Sequence, residues 1–252
     1  DIVHAIEHHS NELALVFLGG INYYTGQLLD IQQISKASRE AGAMVGFDLA
    51  HAMGNVNLSL HDWDLDFACW CSYKYLNGGP GAVAGVFIHE KHHNDQAMIR
   101  LAGWWGYRKE ERFLMKNRFE PAKDAAAWQL STPSILNMAC LDASLQIFAE
   151  AKWENILSKQ GLMNDWVSFL VKEMSSGSFQ CITPMNRGCQ ISLLFKEKGR
   201  EVYDSLFEKG FMVDWREPNV IRLAPVPLYN TFTEVYQFFM DLDQTLKTLD
   251  LQ

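Results

Sequence analysis

A long apolar run is the first thing this 252-residue chain lacks. No window reaches 18 apolar residues without a charge, which excludes a membrane-spanning helix on the sequence pattern. Positive charge is also in deficit. Lys and Arg number 22 against 30 Asp and Glu, for a formal charge of −8, and the basic residues are scattered. Non-specific nucleic-acid binding needs a basic face, so that class is disfavoured. No CxxC occurs, and the five cysteines (Cys69, Cys71, Cys140, Cys181, Cys189) are odd in number. Reduced, structural thiols in a cytoplasmic protein fit this usage better than a disulfide framework. Internal repeats and low-complexity segments are missing too. The opening DIVHAIEHHSNELALV has neither the basic start nor the apolar stretch of a signal peptide. It also lacks an initiator methionine and reads as the end of a helix entering a strand, so the chain is expected to be a piece of a longer protein.

What is present is ordinary for a globular domain: 48% apolar and 21% charged residues. The length allows one large domain or two modest ones. Glu12 to Phe17 reads as a buried strand running into Gly19 and Gly20. A polar loop carries Asn22, Tyr23, Tyr24 and Thr25. Asp30 stands ready to cap a helix over residues 31–42, whose Ile31, Ile34 and Ala37 recur at helical spacing. A second strand ends at Asp48, so these residues spell β-loop-α-β and place Gly19 and Asp48 on one sheet edge. A third strand, Asp66 to Cys71, delivers Tyr73 and Lys74. The Asn77-Gly78-Gly79-Pro80-Gly81 turn leads to a fourth strand too soon for a crossover helix, so that pair is expected to be antiparallel. Residues 91–118 read as an irregular excursion. A helix is expected from Pro133, capped by Ser131 or Thr132, to about Ala151, and another over 153–174. Strands over 179–183, 189–195, 211–215 and 220–224 then alternate with helices over 200–209 and 233–249. The expectation is α/β: part of a mostly parallel sheet over residues 1–125, then a small α+β domain with its linking helix over 126–252.

Asp48 and Lys74 are the pair around which this reading turns. Both follow short apolar runs of the kind that form central parallel strands, and ligands of open α/β sheets bind outside the carboxyl ends of such strands. An acid and a lysine so placed suit pyridoxal 5′-phosphate (PLP): the lysine bonds the aldehyde, and the acid keeps the pyridine nitrogen protonated. A surface lysine and a turn-capping aspartate are the plainer alternatives. His51, one turn beyond Asp48, could stack on or bond to a cofactor or substrate. His89-Glu90-Lys91-His92-His93 matches HExxH in letters but begins at a strand end, so a solvated turn is expected there. Gly79-x-Gly81-x-x-Ala84 precedes a strand and opens no helix, unlike a dinucleotide fingerprint. Arg222, in the proline-stiffened IRLAPVP, offers a donor fork for a carboxylate or for an acid of its own domain. Trp104 and Trp105 lie between glycines, and one of them is expected to meet a ligand or a partner chain.

The segments NYYTGQ, GFDLAHAMGN, DFACWCSYKYLNGGPGAVAGVFIHEKH, LAGWWG and IRLAPVPLYN closely resemble kynureninases, PLP enzymes of fold type I in the aminotransferase class V group. Related desulfurases usually carry histidine where Tyr73 stands. The resemblance implies hydrolysis of L-kynurenine or 3-hydroxykynurenine to an anthranilate and L-alanine, in tryptophan catabolism. It implies Lys74 as the lysine that bonds PLP and moves its protons, and Asp48 at the pyridine nitrogen. Tyr73 would contact the cofactor phosphate and act as an acid–base group, with His51 beside cofactor and substrate. Arg222 would bind the substrate carboxylate. Trp104 would reach the phosphate region of a neighbouring subunit, implying a homodimer with shared sites. Thr132 occupies a cofactor-contact position where relatives carry asparagine or threonine. Gly19 stands where others have serine, so a hydroxyl contact is lost there. Another PLP chemistry, desulfuration or transamination, and a fragment that folds without cofactor are the competing readings. Because family members carry about half of the large domain before the equivalent of Asp1, weak PLP binding and negligible turnover are expected of these residues alone, with exposed sheet edges.

Overall fold

Three short apolar runs, each closed by a glycine or a polar residue, pair in parallel at the front of the chain. The computed structural model describes residues 1–95, 97–174 and 177–251. One compact unit comprises Asp1–Gly20, Leu29–Gly54 and Leu58–Gln146. It contains α1 (Ile2–His8), β1 (Leu15–Gly19), α2 (Ile31–Glu40), β2 (Met44–Asp48), β3 (Phe67–Trp70) and β4 (Gly85–Ile88). The sheet order is β1-β2-β3-β4, with β1, β2 and β3 parallel and β4 antiparallel to β3. The Asp30 carboxylate accepts the Gln33 N–H at 2.9 Å and starts α2, which buries Ile31, Ile34 and Ala37. Val45, Gly46 and Phe47 are all buried, as a central parallel strand requires. Gly46 has a steric reason, since a Cβ there would fall 2.3 Å from the Phe67 ring.

β1 begins and ends later than the apolar run suggested. Its limits are set by register with β2, from Leu15 against Met44 to Gly19 against Asp48. Pairing therefore carries Gly19 into the strand and leaves Glu12 outside it. Leu15 and Phe17 remain 47% and 48% exposed on this outer strand, so one face of its edge is bare apolar surface.

At the amino end of β3, Asp66 is buried and accepts the Val45 N–H at 2.7 Å. Lys91 Nζ and His92 Nε2 lie 2.9 and 2.7 Å from its other oxygen. These contacts lock the 3-10 turn Glu90–His92 under the sheet. The HExxH letters fall here: His89 Nε2 is 3.5 Å from Asp64, while His93 Nε2 lies 3.0 Å from the Ile88 carbonyl. No group of three or more His, Cys, Asp or Glu among the described residues is placed to hold a metal.

α3 (Ile135–Ala151) begins two residues beyond Pro133. The Ser134 carbonyl accepts the Met138 N–H at 2.9 Å, and Asn137 Nδ2 donates to Gly81 O at 2.6 Å. Tolerance of proline in a first turn is a weak bias, and this tertiary anchor sets the start instead. The first unit ends at Gln146 and the second resumes at Ile147, so the division between these units falls inside α3.

The second unit comprises Ile21–Leu28, Asn55–Asn57 and the chain from Ile147 onward. It holds α4 (Trp153–Glu173), β5 (Phe179–Cys181), β6 (Ile191–Phe195), α5 (Gly199–Glu208), β7 (Asp214–Arg216), β8 (Val220–Leu223) and α6 (Phe232–Thr248). Its antiparallel sheet runs β5-β6-β8-β7. Met163, Val167, Leu193, Phe195, Leu206 and Phe239 are among its fully buried side chains, each contributing about 1.5–3 kcal/mol by leaving water. A capping box between Thr231 and Glu234 starts α6. β7 is shorter and later than the apolar run from Phe211, because Phe211 turns inward against Phe238 at 5.4 Å. No helix among the described residues is long and apolar enough to cross a membrane.

Candidate active site

Asp48 closes β2, facing Gly19 of β1 on one side and Cys69 of β3 on the other. The main chain turns away at once, with Gly20 N donating to Asp48 O and Leu49 N to Cys69 O, both at 2.8 Å. The carboxylate is therefore left at the carboxyl edge of the sheet. It is exposed, and Oδ1 accepts the Ala50 N–H at 2.8 Å. The turn-holding role considered for Asp48 thus uses one oxygen of the carboxylate. Burial, and then the Asp48 charge beside it, push the Cys69 thiol above its ordinary pKa.

Lys74 arrives on the same edge four residues after β3. Its loop is closed by Gly78 N to Ser72 O and Asn77 N to Lys74 O, each 2.9 Å, and by the Ser72 hydroxyl donating to Val83 O. Ser144 Oγ donates to Leu76 O at 2.7 Å, so α3 also holds the loop. Lys74 is left half-buried with Nζ 3.0 Å from His51 Nε2. The His51 ring stands edge-on to Tyr75 at 6.3 Å. Gly54 lets the turn after Asp48 come close: its φ is +78°, and a Cβ there would sit 3.0 Å from the Tyr75 main chain.

Tyr73 is exposed, and Lys74 Nζ lies 6.0 Å from its ring centroid. The neighbouring Cys71 side chain pushes the Tyr73 hydroxyl above its ordinary pKa. The hydroxyl stays protonated at neutral pH, as an ordinary phenol does. The sequence pattern alone gives Cys69 and Cys71 a structural reading. The spacing of Cys69, Cys71 and Tyr73 by two residues is the signal in the letters.

Asp48, His51, Tyr73 and Lys74 thus share one edge of one sheet. Trp104 lies in the later excursion, exposed and edge-on to Phe113 at 5.4 Å. Thr132 is exposed in the extended segment before α3. Arg222 belongs to the second unit, on β8. Asp214 Oδ2 accepts from its Nε at 2.6 Å and its Nη2 at 2.5 Å, and Nη1 donates to Tyr23 O. The acid partner within its own domain is therefore realised in this structure.

An amine, an imidazole bonded to it and a carboxylate on the neighbouring strand form a donor set that fits PLP, which needs a lysine at its aldehyde and an acid at its ring nitrogen. Residues 156–242 match the kynureninase C-terminal domain family. The kynureninase of Flavobacterium psychrophilum is 49% identical over 244 residues, covering 94% of this chain and 57% of that protein. Along nearly its whole length this chain is similar to kynureninases. It spans less than two thirds of the length of these curated relatives.

The fold is shared more widely than the sequence. The cysteine desulfurase CsdA of Escherichia coli superimposes with a TM-score of 0.79 at 16% identity, covering 98% of this chain and 63% of that one. A C-DES mutant with glycine covalently linked to its PLP cofactor gives 0.77 at 18% identity, covering 95% of this chain and 63% of that one. The fold is that of the PLP-dependent fold type I enzymes, α/β with a mostly parallel sheet and a second, antiparallel sheet.

Proposed function

We propose that this chain carries part of the active site of a PLP-dependent kynureninase, which hydrolyses L-kynurenine or 3-hydroxykynurenine to the anthranilate and L-alanine. The observation that carries the reading is the placement of Asp48 and Lys74 at the carboxyl ends of adjacent parallel strands, with His51 Nε2 3.0 Å from the lysine amine. The kynureninase likeness supports this substrate over the desulfurase alternative. When bound, PLP supplies an electron sink for the substrate's α-carbon. Lys74 holds the cofactor and moves protons at Nζ. Asp48 keeps a proton on the ring nitrogen through its carboxylate. His51 orients the lysine amine and lines the aromatic substrate. Tyr73 donates at the cofactor phosphate and to the leaving side of the substrate. Trp104 and Thr132 complete the cofactor contacts in a homodimer with shared sites, in the cytoplasm. Arg222 takes the substrate carboxylate, exchanging part of its bond to Asp214 for it. Residues 1–125 then form the later part of the cofactor domain, and 126–252 the small domain with its linking helix.

The test traps the lysine. After incubation with excess PLP and reduction with borohydride, peptide mapping should place the label on Lys74, and Lys74→Ala should abolish it. Label spread evenly over surface lysines would overturn the assignment. Slower trapping of Lys74 in the presence of kynurenine, but not of cysteine, separates the proposed reaction from desulfuration.

A further inference from the structure

The excursion between β4 and α3 encloses a cleft of about 820 Å³. Its walls carry Arg108, Lys109, Arg112 and Lys123 against two carboxylates, Glu110 and Asp124. This concentration of positive charge is unusual in a chain whose formal charge is −8. The cleft is also built rather than incidental. Gly103 and Gly106 lie against the main chain of residues 127–130, where added Cβ atoms would come within 2.3 and 2.7 Å of backbone atoms. Arg112 lies over the Trp105 ring at 4.6 Å and donates through Nη2 to Trp105 O at 2.9 Å and Tyr107 O at 3.2 Å. Arg108 is steadied by Glu111, which accepts from its Nη1 at 3.1 Å. Asp124 is occupied in part by the Ala126 N–H, at 2.9 Å.

Three polar atoms in this wall are buried without a hydrogen-bond partner among the described residues: Nε of Arg108, Nε of Arg112 and the Tyr107 hydroxyl. Buried donors left without acceptors are destabilising, and a ligand that supplies acceptors relieves them. Two guanidinium groups and an ammonium call for an anion of more than one charge, with three or more oxygens to share.

We propose that this cleft binds a small phosphate-bearing anion through Arg108, Arg112 and Lys123, the guanidinium planes tilting slightly to present their Nε–H groups. Calorimetric titration of the whole chain with inorganic pyrophosphate should show saturable binding at one site per chain. Arg108→Gln and Lys123→Gln should each weaken it about tenfold or more. Lys123→Gln keeps the question open to measurement if Arg108→Gln loosens the excursion. Lys74→Ala should leave the binding unchanged, since Lys74 is not part of this wall. The proposal is overturned if no saturable binding appears or if succinate binds in preference to pyrophosphate. It is equally overturned if both wall variants bind as the parent does, or if Lys74→Ala abolishes binding and so places the phosphate at the lysine.

Discussion

Lys74 Nζ and His51 Nε2 lie 3.0 Å apart, the amine from the loop after β3 and the imidazole from the turn after β2. One hydrogen bond therefore joins the tips of two adjacent parallel strands and aims the lysine. A net hydrogen bond of this kind is worth about 0.5–1.5 kcal/mol. His51→Phe keeps a ring in the space and removes the bond, so the rate of Lys74 capture by PLP, read by borohydride trapping and mass mapping, should fall roughly two- to tenfold. An unchanged rate would mean that the imidazole does not orient the amine.

Asp66 ties β2, β3 and the turn after β4 together, and its titration sets how the first unit responds to acid. Burial alone would raise its pKa, but Lys91, the Val45 N–H and His92 together outweigh burial and hold the carboxyl below its ordinary range. A carboxylate with a depressed folded pKa contributes stability above its unfolded pKa and loses it as pH falls through the folded one. The first unit should therefore lose stability as pH drops through about 4 and further below it. Asp66→Asn should lower the denaturant midpoint at neutral pH and flatten this acid dependence. A variant with the parent's pH profile would remove Asp66 from the account.

The strand tips were legible because burial and turn chemistry leave marks in the letters: Asp48 and Lys74 each follow an apolar run, and glycines follow both. The antiparallel step to β4 was legible from loop length alone. The Asp66 network was not, because its partners lie 21 to 26 residues away and nothing local distinguishes an aspartate that collects three donors from one that caps a turn. Arg222 shows the same limit, since its fork suits Asp214 and a substrate carboxylate equally well until the register of β7 against β8 is known. Of the two adjacent indoles, Trp104 is exposed and Trp105 lies under Arg112.

Gly85 faces Trp70 across β3 and β4, and a Cβ there would meet the rigid indole at 2.2 Å. Replacing Gly by Ala stiffens the unfolded chain, which stabilises by about 0.4–1 kcal/mol. Overpacking against an aromatic ring costs about 1–3 kcal/mol, so packing wins. Gly85→Ala should lower stability by about 1–2 kcal/mol in urea titration. It should also slow Lys74 capture, because Trp70 leads directly into the loop that carries the lysine. A raised midpoint would show that Trp70 moves aside freely.

How well this chain alone retains PLP depends on water at the sheet edge. Asp48 is exposed, and Leu15 and Phe17 further back along the neighbouring β1 are about half exposed. An ion pair at about 4 Å is worth about 1 kcal/mol in bulk water and about 4 kcal/mol at an effective dielectric of 20. The open edge therefore forfeits about 3 kcal/mol of the attraction between the carboxylate and a protonated ring, or roughly two orders of magnitude in affinity. The 252 residues, incubated with PLP and dialysed, should keep little visible absorbance and form anthranilate from kynurenine only near background. A strong absorbance that survives dialysis, together with ordinary turnover, would show that this edge is closed to water when the cofactor is bound and would overturn the electrostatic argument.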